Sequence, residues 1–460
     1  MLTKAIETIE RTVLHLEPQR SVRFINLLPP LAVEKMRRAR FRRTLRLAGE
    51  RSVFYREAFK RHNIDITRIE HPSQLGDFYT TGEDLRVHGS EAFLTGQPDT
   101  AFETTGTTSP VPKRIFFSNR ELEEMGRCSA VGLYRLGIRP EDRIFSAYDS
   151  SFWVSPVVLK MAVQFLNCFH VEAGKIPPSE FYERARPYQP NIIFGEPSWL
   201  IRLSEIAEQR GIWPLKLMFG GGENMAEEAR ILVENIWNAP LYLSYGQTES
   251  FGTLAAECER KDGYHRNDLF FWFETPEVDT NGFGELVYTT LVRDVMPLIR
   301  YRSTDLTKLI EDPCPCGFFV KRMAKVRARC DEMVVCGMGN VGPWVFEDLL
   351  RGIGGISGDW QAGVKHEAGS DLIELRVELT DGLGPNDVEN LVRANLRQNF
   401  SDFAKNLDMK LYELRIVGLK PGALRGDARK IKRVVDERQF TARPLILACH
   451  DELASTANNG

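Results

Sequence analysis

The run Leu215-Lys216-Leu217-Met218-Phe219-Gly220-Gly221-Gly222-Glu223-Asn224 joins a short apolar segment to three consecutive glycines. An apolar run of this length bounded by glycine suits a buried strand, and the amphipathic segment 225–237 behind it suits a helix. The same order recurs at once, because 241–244 is apolar and opens into Tyr245-Gly246-Gln247-Thr248-Glu249. Upstream, 143–147 and 191–194 read as strands and 197–209 as a helix. Strands that alternate with amphipathic helices bury both faces of a sheet, which predicts α/β layers with a substantial parallel sheet.

At 460 residues the chain exceeds one typical domain, and 43% hydrophobic with 27% charged residues is enough to build a large core. A formal net charge of -3 argues against bulk nucleic-acid binding, which leaves a basic footprint. No apolar run approaches the roughly 18 residues that a membrane span needs. The opening segment MLTKAIETIERTVLHLEP has no signal-peptide core, so a cytoplasmic location is expected. The eight cysteines are then expected as buried thiols or metal ligands rather than disulfides. Lys35, Arg37, Arg38, Arg40, Arg42, Arg43, Arg46 and Arg51 surround Phe41, Leu45 and Ala48 at helical spacing. That pattern reads as an amphipathic helix with a solvated basic face.

Residues 1–95 read as helices with polar connectors, and 96–328 as the core of a large N-terminal domain with layered sheets and helices. Within 282–302, GELVYTTL and MPLIRYR read as strands of a β-rich unit, and DPCPCG at 312–317 marks a compositional break. Residues 329–440, with strands at 371–379 and 410–417 around a helix at 386–399, form a small α+β domain of ordinary size. Residues 441–460 read as a tail.

Four segments carry chemistry. Thr104-Thr105-Gly106-Thr107-Thr108-Ser109-Pro110, with Lys113 close behind, offers hydroxyls, backbone amides and a charge to phosphate oxygens. Gly220-Gly221-Gly222-Glu223-Asn224 lets backbone approach a flat ligand at the carboxyl end of a strand. Ser244-Tyr245-Gly246-Gln247-Thr248-Glu249 groups a ring, a small-residue gap, a hydroxyl and a carboxylate, which could stack a base, clear a substrate, bind phosphate and hold Mg²⁺. Ile299-Arg300-Tyr301-Arg302-Ser303-Thr304-Asp305 places a carboxylate behind a basic strand. Taken singly, each is also an ordinary turn or surface segment.

In this order, TTGTT, GGGEN, YGQTE and RYRSTD resemble the adenylate-forming enzyme superfamily, in particular its phenylacetate–coenzyme A ligase-like branch. SVFYREAF, AAECERKDGYH and GELVYTTLVRDVMPLIRYRSTDL are similar to that branch as well, so the likeness runs from about Ser52 to Arg438. The resemblance implies a large adenylation domain with a small mobile C-terminal lid, ATP and Mg²⁺ as cofactors, and coenzyme A as co-substrate. It places Thr105, Gly106, Thr107 and Thr108 around the ATP phosphates. Gly221, Gly222, Glu223 and Asn224 would line adenine, with Tyr245 stacked on it and Gly246 counted with them at the nucleotide. Thr248 would touch the α-phosphate, Glu249 would ligate Mg²⁺ and Asp305 would hold the ribose. Arg329 matches the arginine of the domain junction, Asp331 the hinge, and Lys430 the mobile lysine of adenylation. Ser109 stands where the phosphate loop usually has glycine, the turn 336–341 is one residue longer than its counterpart, and Arg429 replaces a glycine, with Lys432 as a second lysine nearby.

Cys258 with His265, and Cys314 with Cys316, supply four ligands in two local pairs, the donor set of a closed structural Zn²⁺ site. The family resemblance supports it. Cys128, Cys168, Cys330, Cys336 and Cys449 read as ordinary small residues. Tyr148, Phe152 and Trp153 correspond to the aromatic stretch near the family's substrate, and with Phe219 they could enclose a flat ring. The expected reaction is ATP-dependent activation of a small, aromatic carboxylic acid to its acyl-adenylate, then transfer to a thiol. The alternatives are a stand-alone biosynthetic enzyme that hands the acyl group to a separate carrier protein or an amine, and a nucleotide-binding relative without turnover. The assembly is left open, a homodimer among the options.

Overall fold

The computed structural model describes residues 17–104, 112–223, 225, 227–330, 334–367, 369–379, 384–424 and 431–438. The chain divides into two compact units, residues 1–224 with 232–326 and residues 225–231 with 327–460.

In the first unit, β1 (Thr100–Glu103) and β2 (Arg114–Phe117) pair as an antiparallel ribbon. The main sheet is built from β3 (Arg143–Ser146), β4 (Phe169–Glu172), β5 (Ile192–Gly195), β6 (Leu217–Gly221), β7 (Leu241–Gln247), β8 (Gly252–Ala256) and β9 (Tyr264–Arg266). β10 (Phe271–Glu274), β11 (Gly284–Thr290) and β12 (Tyr301–Thr307) follow as an antiparallel group, and β13 (Leu309–Ile310) and β14 (Arg322–Met323) return to the main sheet. Its nine strands run in the order β13-β14-β9-β8-β7-β6-β5-β3-β4. β4, β3, β5, β6 and β7 are parallel, whereas β8, β9, β14 and β13 extend the sheet antiparallel.

Helices Asn119–Arg135, Val154–Leu166, Pro178–Ala185, Pro197–Arg210 and Glu227–Trp237 precede β3, β4, β5, β6 and β7 in turn. Ser118 opens the first of them with a capping box to Glu121, and proline stands in the first turn of the third and fourth. On one face Ile144, Ile192, Phe194, Leu217 and Phe219 pack on Ala130, Leu133, Leu159, Ala162 and Val163. On the other, Phe181 meets Phe145 and Trp199 edge-on at 6.1 and 4.8 Å. Covering both faces explains why β5 and β6 are buried along their whole length. The chain leaves β3 for β4 on one side and returns to β5 on the other, so the carboxyl ends of β3 and β5 form a switch point where α/β sheets bind ligands.

One expected strand is shorter in the structure. The sequence predicts a strand through MPLIRYR, yet β12 begins only at Tyr301. Arg300 takes φ 47°, which breaks the extended run, and its guanidinium reaches the carbonyl of Gly76, the Tyr79 hydroxyl and Glu274. The basic segment forms helix Pro30–Arg51, which buries Phe41, Leu45 and Ala48 completely. Arg37 and Arg38 pair with Glu34, Arg42 with Glu70 and Arg43 with Asp294. Among the described residues no helix is long and apolar enough to cross a membrane.

The second unit opens with β15 (Ala328–Arg329) and continues with β16 (Val334–Cys336) and β17 (Gly339–Val341), which pair as a hairpin. Helix Pro343–Leu350 leads to β18 (Ile356–Glu367) and β19 (Ser370–Leu379), and helices Pro385–Asn399 and Ser401–Asp408 lead to β20 (Tyr412–Leu419) and β21 (Val434–Asp436). The sheet order is β20-β19-β18-β21, with β18 and β19 antiparallel and the outer strands parallel to their neighbours. Val345, Phe346, Trp360, Val364, Ile373, Leu375, Val388, Val392 and Leu414 belong to its core.

Candidate active site

Register brings the two glycine-bearing segments side by side. Gly221 of β6 stands opposite Ser244 of β7, so both strands deliver their carboxyl ends to one place. A Cβ on Gly221 would lie 2.7 Å from Ser244 Oγ and 3.7 Å from the Tyr148 hydroxyl. Gly246 is tighter still, because a Cβ there would stand 1.6 Å from the Gly252 carbonyl oxygen. The chain reverses between β7 and β8 through a single turn, Thr248–Ser250, and only glycine allows the two backbones to meet across it.

That turn carries Glu249, which is buried. Lys113 Nζ donates to Glu249 Oε1 at 2.6 Å, and the Tyr301 hydroxyl donates to the same oxygen at 3.0 Å. Burial alone would raise the Glu249 carboxyl, but the charge and hydrogen bond of Lys113, the residue's own backbone amide and Tyr301 outweigh it and hold the group below its ordinary value. A second knot lies beside it. The Tyr245 hydroxyl donates to Asp305 Oδ2 at 2.6 Å, and Gln247 Nε2 donates to the same oxygen at 2.8 Å. Tyr288 steadies Gln247 through Oε1 at 3.2 Å, and Ser303 Oγ accepts from the Asp305 amide.

Lys113, Gly221, Tyr245, Gly246, Glu249 and Asp305, expected around one nucleotide, are thus linked by direct bonds and strand register, with half-buried Thr248 in the same turn. Gly222, at φ 92°, ends β6. Glu223 reaches the start of helix Pro197–Arg210, accepting from the Ser198 amide at 2.9 Å and its hydroxyl at 3.0 Å, a favourable place for a carboxylate. Thr105, Gly106, Thr107, Thr108, Asn224, Asp331 and Lys430 lie outside the described residues. Arg329 ends β15 and belongs to the second unit.

Among the aromatic residues, Phe219 is 7% exposed and stacks toward Phe194 at 5.1 Å, whereas Phe152 is 61% exposed and Trp153 half-buried. Burial and the carboxylates of Glu196 and Glu223 push the Tyr148 hydroxyl well above its ordinary value, so it stays a neutral donor. Sequence reasoning missed Tyr301 and Gln247, whose neighbours it had singled out, because their contacts come from different strands. It also missed Arg293, where the signal was a lone charged pair inside the apolar run of LVRDVMPLI.

Away from this edge, β9 and β14 pair and draw together the loop after β8 and the turn between β13 and β14. Cys258, His265, Cys314 and Cys316 point their ligand atoms into one cluster, all within 4.8 Å of one another. Cys258 and Cys314 sulfurs stand 3.8 Å apart, and Cys316 sulfur is 3.2 Å from His265 Nε2. Two thiolates on one tetrahedral Zn²⁺, each at about 2.3 Å, are separated by about 3.8 Å. His265 Nδ1 lies 2.9 Å from the Val320 carbonyl, which orients the ring with Nε2 toward the sulfurs.

A family model for the AMP-binding enzyme C-terminal domain matches residues 339–438. The phenylacetate–coenzyme A ligase of Thermus thermophilus is 26% identical over 448 residues, covering 90% of this chain and 99% of that protein. The phenylacetate–coenzyme A ligase of Pseudomonas putida is 28% identical over 359 residues, covering 74% and 80%. Among solved structures, 2-hydroxyisobutyryl-CoA ligase in complex with 2-HIB-AMP and CoA superimposes with a TM-score of 0.73 at 21% identity, over 90% of this chain and 91% of that one, a likeness of fold. Along nearly its whole length, then, this chain is similar to phenylacetate–coenzyme A ligases, and residues 339–438 match the C-terminal domain of AMP-binding enzymes.

Proposed function

We propose that the chain is an AMP-forming acid–thiol ligase that joins a small carboxylic acid to ATP as the acyl-adenylate, releases pyrophosphate, and passes the acyl group to the thiol of coenzyme A. One observation carries this reading: a buried carboxylate, Glu249, shared by Lys113 and Tyr301, next to Asp305 held by Tyr245 and Gln247. The named activity of the relatives agrees with it.

An ionised acid needs no proton removed before it attacks the α-phosphate, so the protein has to orient the reactants and balance charge. Thr105, Gly106, Thr107, Thr108 and Lys113 would hold phosphate oxygens. Tyr245 would present its ring to adenine beside Gly221, Gly222, Glu223 and Asn224, and Asp305 would accept from the ribose hydroxyls. Thr248 would meet the α-phosphate, and Lys430 would offset the charge that develops there. Arg329 and Asp331 would serve the junction and the hinge before the second unit. Glu249 fits a magnesium site, being a buried carboxylate that its neighbours keep ionised, and Mg²⁺ bound there would offset phosphate charge.

Tyr148, Phe219 and Gly246 would border the acid, and the two aromatic rings would favour a flat one. The set Cys258, His265, Cys314 and Cys316 fits a structural Zn²⁺ with no open position.

The test is ATP–pyrophosphate exchange against a panel of aryl and arylacetic acids, followed by detection of coenzyme A thioesters by mass spectrometry. Exchange should require the acid, and Asp305→Asn should raise the KM for ATP about tenfold, the loss of roughly 1.4 kcal/mol of hydrogen bonding. Absence of exchange with every acid would sink the reading. Exchange without thioester would move the acceptor away from coenzyme A.

A further inference from the structure

The turn that bears Glu249 and the strand that follows Lys113 are joined by one side chain, that of Arg293. It is completely buried. Its Nη1 donates to the Glu249 carbonyl oxygen at 3.3 Å, and its Nη2 donates to the carbonyl of Phe116 in β2. The guanidinium carbon lies 4.3 Å from the ring centre of Phe117 and 4.5 Å from that of Phe251. The carboxylate facing it, Glu121, comes no nearer than 3.7 Å to Nε. Both Glu121 oxygens already serve backbone amides, Oε2 that of Ser118 and Oε1 those of Asp294 and Val295. Among the described residues, Arg293 Nε has no hydrogen-bond partner.

A fully buried cation without a close, bidentate carboxylate is costly, and an apolar side chain between Phe117 and Phe251 would cost less. What the guanidinium adds is a rigid fork whose two arms reach carbonyls on two different segments. Phe251, the residue just after the turn, is held at φ 64°, an uncommon conformation for an aromatic residue, with its ring edge-on to Phe117 at 5.7 Å. The strained turn and the loosely paired cation sit against each other, beside the strand that follows Lys113.

We infer that Arg293 is a positioning residue for adenylation: it clamps the Thr248–Ser250 turn to β2 and so sets where the Glu249 carboxylate stands relative to Lys113. The inference rests on the reading of Glu249 as the magnesium carboxylate. Arg293 itself touches no reacting atom.

The experiment compares wild type, Arg293→Lys and Arg293→Met in acid-dependent ATP–pyrophosphate exchange as a function of Mg²⁺. Arg293→Lys keeps the charge but loses the planar fork whose two arms reach the two carbonyls, and if Arg293→Met fails to fold the lysine variant carries the test. Misplacement from outside the reacting centre can cost about a hundredfold in turnover, and that is the loss expected in kcat. Half-maximal Mg²⁺ should rise about tenfold, equivalent to about 1.4 kcal/mol of carboxylate alignment. Ser204→Ala, which removes the buried bonds to Trp237 and Leu200, serves as a destabilised control with unchanged Mg²⁺ dependence. A wild-type Mg²⁺ midpoint in Arg293→Lys, or an equal shift in Ser204→Ala, would overturn the inference alone. A wild-type protein with no acid-dependent exchange would overturn the proposed function and this inference together.

Discussion

Lys113 and Glu249, 136 positions apart in the chain, meet at 2.6 Å with only 15% and 6% of their side chains exposed. The pair links the segment behind the phosphate-loop motif to the turn after β7, and the Tyr301 hydroxyl ties both to β12, standing 3.3 Å from Lys113 Nζ and 3.0 Å from Glu249 Oε1. A buried carboxylate in this setting depends on its partner for its ionisation, so the pair makes predictions about stability as well as chemistry.

Glu249 titrates below its ordinary value of 4.5 because its partners outweigh its burial. A carboxylate depressed by folding contributes stability that is present above its unfolded value and is lost as pH falls through its folded one. The stability difference between wild type and Glu249→Gln should therefore be constant near neutrality and shrink below pH 4.5. Lys113→Met leaves the buried carboxylate unpaired and should cost about 3 kcal/mol at pH 7, read from urea unfolding. Unchanged stability in Lys113→Met would mean that the pair does not hold in solution.

The thiol–imidazole cluster predicts one zinc per chain by elemental analysis of gently purified protein. Stripping the metal, or His265→Ala, should lower the melting temperature on the order of 5 °C, since the ion would join the loop after β8 to the turn between β13 and β14. Well under one equivalent of metal in wild type, or an unchanged melting temperature after chelation, would contradict the site.

In the second unit Arg438 Nη1 donates to Asp371 Oδ2 at 3.0 Å and Nη2 to the Val335 carbonyl at 2.8 Å, while the Gly337 amide donates to Asp371 Oδ2 at 2.8 Å. Arg438 thus pins the β16–β17 hairpin to the start of β19. Burial would raise the Asp371 carboxyl, but Arg438, then His366 and the Gly337 amide, bring it below its ordinary value, so its contribution to stability disappears as acid protonates it. Arg438→Met should cost about 3 kcal/mol and reduce amide protection across residues 334–341 in hydrogen exchange. Full protection there would remove Arg438 from this role.

Several elements were legible before folding because their signal is local. Helix Pro197–Arg210 and strand β7 begin where the sequence places them, at a proline suited to a first helical turn and at the first apolar residue after Pro240. β6 starts at Leu217 rather than 215 and runs on through Gly221, since pairing with β7 continues past the apolar run. β18 went unread although Trp360, Ala362 and Val364 alternate within it, because glycine and charge interrupt the pattern and only pairing with β19 along its length makes it a strand. At the site, the glycine turns and acidic residues stood out by type, whereas Tyr301, Gln247 and Arg293 did not, since their role is to touch residues distant in sequence.

The sequence by itself determined the alternation of strands and helices, the glycines where two backbones must meet, and the inventory of carboxylates, lysines and thiols, because these follow from periodicity and residue chemistry within short windows. Only the tertiary structure decided that Glu249 is paired with Lys113, that Glu223 caps a helix instead of facing open space, and that Arg293 bridges two segments. The reason is physical: a charge acquires its ionisation and its partner from what surrounds it after burial, and those neighbours arrive from strands that chain order alone does not bring together.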